Sequence, residues 1–351
     1  MNKEKIIVLT GGGTAGHVYP ALAVQERLGN EYEVHYIGGK GMEKEILAKE
    51  KDIIYHEIDA VKLQRKLTLK NLLIPFKLFS SISKCKKILR EIKPNVIFSK
   101  GGFVALPVVI AGKSLKVPIV SHESDLSMGL ANKIIMHYCD YMATAFEKTA
   151  EGKPKCVYTG QPIRKKILNG NKNRLSFLGR LNNSKKNLLV VGGSSGAKFL
   201  NEIVENEVDE LLKNFNLIHL TGKGYKVKIE KEGYFPIDYA ENMGDYLDLA
   251  DIVISRAGSG AINEFLALKK PMLLVPLSKK CSRGDQIENA KLFESLGFCE
   301  VLEEEDFSKV KLMAKLDRLS KNAKTFIKNM EKIKNFNASD KIISLIKKIE
   351  R

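Results

Sequence analysis

Lys5-Ile6-Ile7-Val8-Leu9-Thr10 running into Gly11-Gly12-Gly13-Thr14-Ala15-Gly16-His17 is the stretch whose reading decides the fold. A short β-rich run that breaks into glycines and opens a helix, read from about Val18, begins a phosphate-cradling βα unit. The phrase recurs. Leu188–Val191 reads as a strand, Gly192-Gly193-Ser194-Ser195-Gly196 as a second glycine loop, and Ala197–Leu212 as a helix. Further strands read at Val34–Ile37, Ile53–Ile58, Val96–Ser99, Ile119–Ser121, Cys156–Tyr158, Leu217–Thr221, Ile252–Ser255 and Met272–Val275. Alternation of this kind predicts α/β architecture: two tandem Rossmann-like domains with parallel sheets facing across a cleft. Ligands of such sheets bind beyond the carboxyl ends of the strands.

A chain of 351 residues fits two domains. Gly160-Gln161-Pro162 interrupts the pattern and marks the join. The expected division is 1–160, 161–335, and a last helix, 336–351, packing back on the first domain. With 44% hydrophobic and 28% charged residues the chain is ordinary globular material. Five cysteines without a C-x-x-C pair speak against a disulfide framework or a thiolate zinc site and suit a reducing cytosol. No signal-peptide stretch follows Met1, and the apolar run Gly101–Gly112 is too short to span a bilayer.

The net charge of +17 is unevenly spread. Residues 62–100 hold eleven Lys and Arg against the single acid Glu91, and residues 307–351 hold thirteen against four acids. The rest of the chain is nearly neutral. In the first stretch the charges alternate with Leu67, Leu69, Leu72, Leu73, Ile74, Phe76, Leu78 and Phe79. Leu72-Leu73-Ile74-Pro75-Phe76 is too continuous for one helical face, which favours contact of segment 62–87 with an anionic membrane surface over a lysine-rich packing helix. The tail, with Phe326, Met330, Ile333, Ile342, Leu345, Ile346 and Ile349 at helical spacing, reads as a solvated packing helix. With no Trp and no aromatic platform in the tail, nucleic acid is not an expected partner.

Gly11-x-Gly13-x-x-Gly16 matches the dinucleotide fingerprint, but Ile37-Gly38-Gly39-Lys40-Gly41 lacks the carboxylate that would hold a ribose, so an NAD oxidoreductase is disfavoured. The loop still implies close approach of a polar or anionic group, unless it is only a tight turn. His17 at the helix start is expected to be kept neutral by the helix dipole and able to accept a proton, the alternative being a structural histidine. Ser255-Arg256-Ala257-Gly258-Ser259-Gly260 is a third anion-friendly helix start. One turn in, Glu264 is positioned either to accept from ribose hydroxyls or to pair with a lysine. Gly284-Asp285-Gln286-Ile287-Glu288-Asn289 is rich in side chains that read sugar hydroxyls. The acids Asp245, Asp248 and Asp251 are helically spaced, and neither H-E-x-x-H nor a D-x-D metal–diphosphate pattern occurs. No metal and no cofactor are expected, and a diphosphate leaving group would be neutralised by helix N-termini and cations.

Taken together, Gly11–Ala23, Gly101–Val109, His122–Lys133, Thr159–Arg164, Gly192–Ala197, Ser255–Glu264 and Asp285–Ala290 make the sequence resemble the MurG family, which converts lipid I to lipid II with UDP-GlcNAc in bacterial peptidoglycan synthesis. The resemblance runs nearly the whole chain. It implies a GT-B fold, with an acceptor and membrane-facing N-terminal domain and a UDP-GlcNAc-binding C-terminal one. It also implies that Thr14, Ala15 and Gly16 line the acceptor and donor-sugar side, with His17 the base, and that Asp125 lies by the donor sugar. Arg164 and Ser194 would contact the diphosphate, Ala240 would flank the uracil, Ser259, Gly260 and Glu264 would hold phosphate and ribose, and Gln286 would read the GlcNAc. Lipid I as acceptor implies a peripheral protein on the cytoplasmic side of the cell membrane. This sequence departs from the family pattern at Ala15, at Ser124-Asp125 in place of Gln-Asn, and at Gln161 in place of Asn. A related lipid glycosyltransferase or UDP-GlcNAc 2-epimerase is the alternative.

Overall fold

The structure, a computed structural model, describes residues 5–60, 74–193, 196–333 and 337–351. The chain divides into two compact units, Met1–Arg164 with Asn335–Arg351, and Lys165–Lys334.

The first unit is built on seven parallel strands: β1 (Lys5–Thr10), β2 (Tyr32–Gly38), β3 (Ile53–Glu57), β4 (Val96–Ser99), β5 (Ile119–Glu123), β6 (Tyr141–Thr144) and β7 (Cys156–Tyr158). They are ordered β3-β2-β1-β4-β5-β6-β7. The strand order reverses between β1 and β4, the place where sheets of this kind bind ligands. Thr10 pairs with Ile37 on one side and Ser99 on the other, so the loops after β1, β2 and β4 leave the sheet at one level. Alternate residues of β1 feed two cores. Ile7 and Leu9 pack with Val18 and Leu22 of α1 (Ala15–Leu28) and with Ile342 and Ile346 of α14 (Ala338–Ile349). Val8 packs on the opposite face with Cys85 and Leu89 of α3 (Ile74–Ile92) and Val108 of α4 (Gly102–Ser114). Both faces of the sheet are covered, and for that reason its strands read as continuous apolar runs.

The second unit repeats the plan with six parallel strands: β8 (Lys186–Val191), β9 (Phe215–Leu220), β10 (Tyr234–Ile237), β11 (Ile252–Ser255), β12 (Met272–Leu274) and β13 (Cys299–Val301). Their order is β10-β9-β8-β11-β12-β13, again reversing beside the first strand of the unit. The parallel α/β architecture expected from the repeated strand–glycine–helix phrase is the one observed. Helix α1 starts three residues earlier than its apolar pattern indicated, and β6, β10 and β13 were not anticipated.

The acid series has a structural use. Asp245 accepts the Asn171 N–H at 2.7 Å, Asp248 the Lys172 N–H at 2.9 Å, and Asp251 the Asn187 N–H at 2.8 Å. These carboxylates anchor loops. The tail also divides. Phe326 and Met330 are buried within the second unit, whereas Ile342 and Ile346 belong to the core of the first.

Candidate active site

In the first unit, the glycine loop lies between β1 and α1 and is strapped from behind. Glu43, on α2 (Met42–Leu47), is 1% exposed. Its Oε2 accepts the Gly13 N–H at 3.1 Å and its Oε1 the Gly39 N–H at 3.0 Å. The Tyr36 hydroxyl donates to the Gly11 carbonyl at 2.6 Å. Gly13 has φ +84, and a Cβ there would lie 2.5 Å from the Phe103 ring, so the loop admits no side chain at this point. Gly13, Gly39, Lys40, Glu43, Asp59 and Phe103 are among the residues that line a cavity of about 420 Å³.

His17 stands in the first turn of α1. Its Nδ1 lies 3.0 Å from Thr14 Oγ1. In the tautomer that donates Nδ1–H to Thr14, the Nε2 lone pair is turned away from the loop. Gly102 at the start of α4 makes room for that nitrogen, since an added Cβ would lie 3.2 Å from it. The imidazole is held neutral, as the sequence suggested, but for a different reason. Burial, and then the charge of Lys100, push its pKa down to about 3. Thr14 and Gly16 are exposed and Ala15 partly buried, so the loop presents backbone and one hydroxyl to solvent beside the histidine.

The carboxyl end of β5 brings a second polar cluster to the same edge. Burial and the Lys100 charge hold His122 well below its usual pKa, and its Nε2–H donates to the Gly160 carbonyl at 2.9 Å. Glu123 caps the following loop, accepting from the Asp125 N–H at 2.9 Å, the Gly129 N–H at 3.1 Å and Asn132 Nδ2 at 2.9 Å. Asp125 is thereby fixed by its backbone and is partly exposed. Arg164 is not part of this group. Its Nε bonds Glu26 at 2.6 Å and its Nη2 lies 3.2 Å from Glu50, while the guanidinium rests over Tyr19.

In the second unit, neighbouring strands deliver three loops to one end of the sheet. Ser255 pairs with Val191 and with Leu274, so the loops after β8, β11 and β12 adjoin. Ser194, expected at a phosphate, lies outside the described residues. Gly258 N-caps α10 (Ser259–Ala267), which carries Ser259, Gly260 and Glu264. The Glu264 carboxyl is raised to about 7 by burial, against the pull of Lys166. Gln286, on α11 (Asp285–Ser295), accepts the Leu277 N–H at 3.0 Å, which orients its amide toward the loop after β12. Ala240 lies farther along the sheet edge, in the loop between β10 and α9 (Met243–Leu249). Arg256 is structural in this arrangement, with Nη2 on Glu304 at 2.5 Å and Nη1 donating to the Val275 carbonyl at 3.1 Å.

Glu43 and Lys100 were not picked out in the sequence. Glu43 acts across 30 residues on Gly13, which no local pattern registers. Lys100 was counted with the basic stretch, yet the structure buries it to 1% exposure. Its one sequence signal is a lone charge between the apolar strand 96–99 and the charge-free run 101–112.

The Glycosyltransferase family 28 N-terminal domain matches residues 7–144 and the Glycosyltransferase family 28 C-terminal domain residues 187–346. A Clostridium tetani protein described as UDP-N-acetylglucosamine–N-acetylmuramyl-(pentapeptide) pyrophosphoryl-undecaprenol N-acetylglucosamine transferase is 48% identical, with 98% of both chains covered. A Clostridium botulinum (strain Alaska E43) protein of the same description is 46% identical, with 99% of each covered. Among solved structures, Acinetobacter baumannii MurG superposes with TM-score 0.76 at 24% identity, covering 98% of this chain and 99% of that one. A UDP-N-acetylglucosamine 2-epimerase shares the fold at TM-score 0.64 and 12% identity, covering 99% of this chain and 96% of its own. The fold is thus common to transferases and epimerases, and the full-length sequence likeness is what separates them.

Proposed function

The chain belongs to the MurG family within glycosyltransferase family 28, and from that membership we propose that it moves N-acetylglucosamine from UDP-GlcNAc to the muramyl C4 hydroxyl of lipid I, forming lipid II. The carrying observation is 48% identity over 98% of the chain to a transferase of that description. In the proposed step the C4 hydroxyl oxygen attacks the anomeric carbon from the face opposite UDP. The new C–O bond forms as the bond to the diphosphate breaks, inverting the centre to a β-1,4 link. His17 Nε2 takes the hydroxyl proton, and UDP leaves with the bonding pair. A neutral imidazole is the form that can accept that proton. A diphosphate bound beside it would add negative charge and raise its proton affinity.

The acceptor role falls to the first unit, where Thr14, Ala15 and Gly16 line the acceptor and donor-sugar side and Asp125 lies by the donor sugar. The donor role falls to the second, with Ser194, Ser259 and Gly260 at the phosphates, Glu264 at the ribose, Ala240 by the uracil and Gln286 at the sugar hydroxyls. Arg164 completes the diphosphate contacts in this proposal, exchanging Glu26 and Glu50 for a more strongly charged partner. A mixture of UDP-GlcNAc and a short-chain lipid I analogue, with EDTA present, tests the reading. Disaccharide formed only with acceptor is the expected result. UDP release without acceptor would indicate an epimerase or hydrolase instead.

Glu264 makes donor binding pH-dependent. A carboxyl with pKa near 7 is mostly protonated at pH 6 and mostly ionised at pH 8. Only the ionised form accepts from two ribose hydroxyls at once. The affinity for UDP-GlcNAc, measured calorimetrically, will therefore rise up to about tenfold from pH 6 to pH 8. Glu264→Gln will bind more weakly and with a flat profile.

We further propose a peripheral position on the cytoplasmic face of the cell membrane, where the lipid acceptor resides. Residues 61–73 of the basic apolar segment lie outside the described residues; α3 contains the rest. Phe76 and Phe79 on its first two turns are each 75% exposed and flank Lys77. No helix among the described residues is long and apolar enough to cross a membrane. Removing one Phe side chain from water is worth about 1.5–3 kcal/mol when complete. Phe76→Ser with Phe79→Ser should accordingly weaken co-sedimentation with anionic vesicles by tenfold or more. Turnover of a water-soluble acceptor analogue should stay as it was.

A further inference from the structure

Lys100 is a cation in a place with no route to water. Its backbone N–H donates to the Thr10 carbonyl at 2.7 Å, which sets it beside the glycine loop at the end of β4. Val96, Ile97 and Phe98 before it are core residues, and the helix after it carries no charge before Lys113. A buried ammonium needs partners in place of solvent. Its Nζ donates to Ser124 Oγ, and Ser124 Oγ donates onward to Gln161 Oε1 at 2.9 Å. The carboxylates of Glu123 and Asp125 attract it. His17, from α1, and His122, from β5, are within reach of its charge, which lowers the proton affinity of both.

We infer that Lys100 is a positioning residue for the transfer: through Ser124 its ammonium ties segment 122–125 to segment 160–161, beside the loop that carries His17. The inference rests on the transferase reading above. Lys100 is enclosed and touches no substrate; it acts through Ser124 and His17. Ser124, Asp125 and Gln161 all belong to the network that this one ammonium organises.

Burial brings the Lys100 pKa down to about 8, with Glu123 and Asp125 pulling the other way. At pH 7 the ammonium is present. As pH rises through about 8 the proton leaves: the neutral amine can still donate to Ser124 Oγ, but its charge no longer holds the carboxylates of Glu123 and Asp125, and the 122–125 segment is released. Activity with saturating UDP-GlcNAc should therefore fall between pH 8 and 9.5. Lys100→Arg, whose guanidinium stays charged over this range, should lose that alkaline limb whatever its absolute rate. Asp125→Asn should move the limb to lower pH, because one attraction holding the proton is gone. Lys100→Met should lower kcat at pH 7 at least tenfold and leave the KM for UDP-GlcNAc within twofold. The pH profile of Lys100→Arg carries the test should the Met variant not fold. A flat wild-type profile from pH 7 to 9.5, or a limb that persists in Lys100→Arg, would overturn the inference. Histidine ring NMR needs no turnover. The His17 pKa should rise in Lys100→Met, where the charge is absent, and stay near its wild-type value in Lys100→Arg, where a charge is kept: a rise in the Met variant alone supports the assignment, and an unmoved His17 in it refutes it. Absence of transfer by the wild-type protein would instead refute the transferase reading, and that NMR comparison would still decide the role of Lys100.

Discussion

His17→Ala will reduce kcat by about 10²–10⁴ while the affinity for UDP-GlcNAc stays within about twofold, because positioned proton transfer is worth that much in rate and the proposed contacts to the phosphates, ribose and uracil lie on other loops. In free energy the loss is roughly 3–5 kcal/mol of transition-state stabilisation. The fold should tolerate the change. The side chain belongs to neither core cluster and has Thr14 Oγ1 as its hydrogen-bond partner. Loss of kcat at unchanged unfolding temperature is therefore a statement about chemistry. Two measurements decide it: single-turnover rates with donor saturating, and a donor affinity measured without acceptor. A variant that binds UDP-GlcNAc tenfold more weakly but turns over normally when saturated would assign His17 to donor binding. The low pKa of about 3 reflects burial and the Lys100 charge, and it keeps the imidazole in the form that can accept a proton.

What could be read in the sequence was whatever is encoded locally. Lys5–Thr10 followed by glycines is a strand–loop–helix in any context, and its recurrence at Leu188 carried the two-unit architecture. The strands that escaped are three or four residues long. Tyr234–Ile237 contains Pro236 and survives because β10 is an edge strand, where a missing donor is tolerated. Cys299–Val301 is the opposite edge of the same sheet. Tyr141–Thr144 is interior, but its Met and Ala carry little β signal, and pairing with β5 and β7 makes it a strand. At the candidate site, the residues on glycine loops were legible and those that hold the loops were not. Glu43 to Gly13 and Lys100 to Ser124 are contacts between separate elements, and nothing in the spacing of either residue announces a partner. Arg164 teaches the converse. A motif placed it near the diphosphate, while two carboxylates and a tyrosine ring from α1 and its surroundings determine where it rests here.

Glu43→Ala should cost more stability than any other single change at the loop edge, and it should disable the site as well. The carboxylate is almost wholly enclosed and satisfies the Gly13 and Gly39 N–H groups together. Removing it leaves two donors without an acceptor, each worth about 1–3 kcal/mol when buried. The loss of packed side-chain volume adds to this. A total of about 2–5 kcal/mol corresponds to a fall of roughly 5–15 °C in the unfolding of the first unit. Water entering the cavity lined by Gly13, Gly39 and Phe103 would recover part of it, which sets the lower end. Glu43→Gln separates charge from shape. One arm of the amide still accepts, but the other is an NH₂ group facing a backbone N–H, so the variant keeps the volume and loses one bond to repulsion. It should fall between wild type and Glu43→Ala in stability. Both variants let the Gly11–Gly16 segment drift and carry His17 with it, and displacement of a catalytic group by about 1 Å can cost 10²-fold in rate. Thermal unfolding followed by circular dichroism, together with kcat at saturating donor, reads both effects. An unfolding temperature within 2 °C of wild type and unimpaired turnover in Glu43→Ala would mean that Tyr36 and the backbone alone hold the loop, and that the carboxylate strap is dispensable.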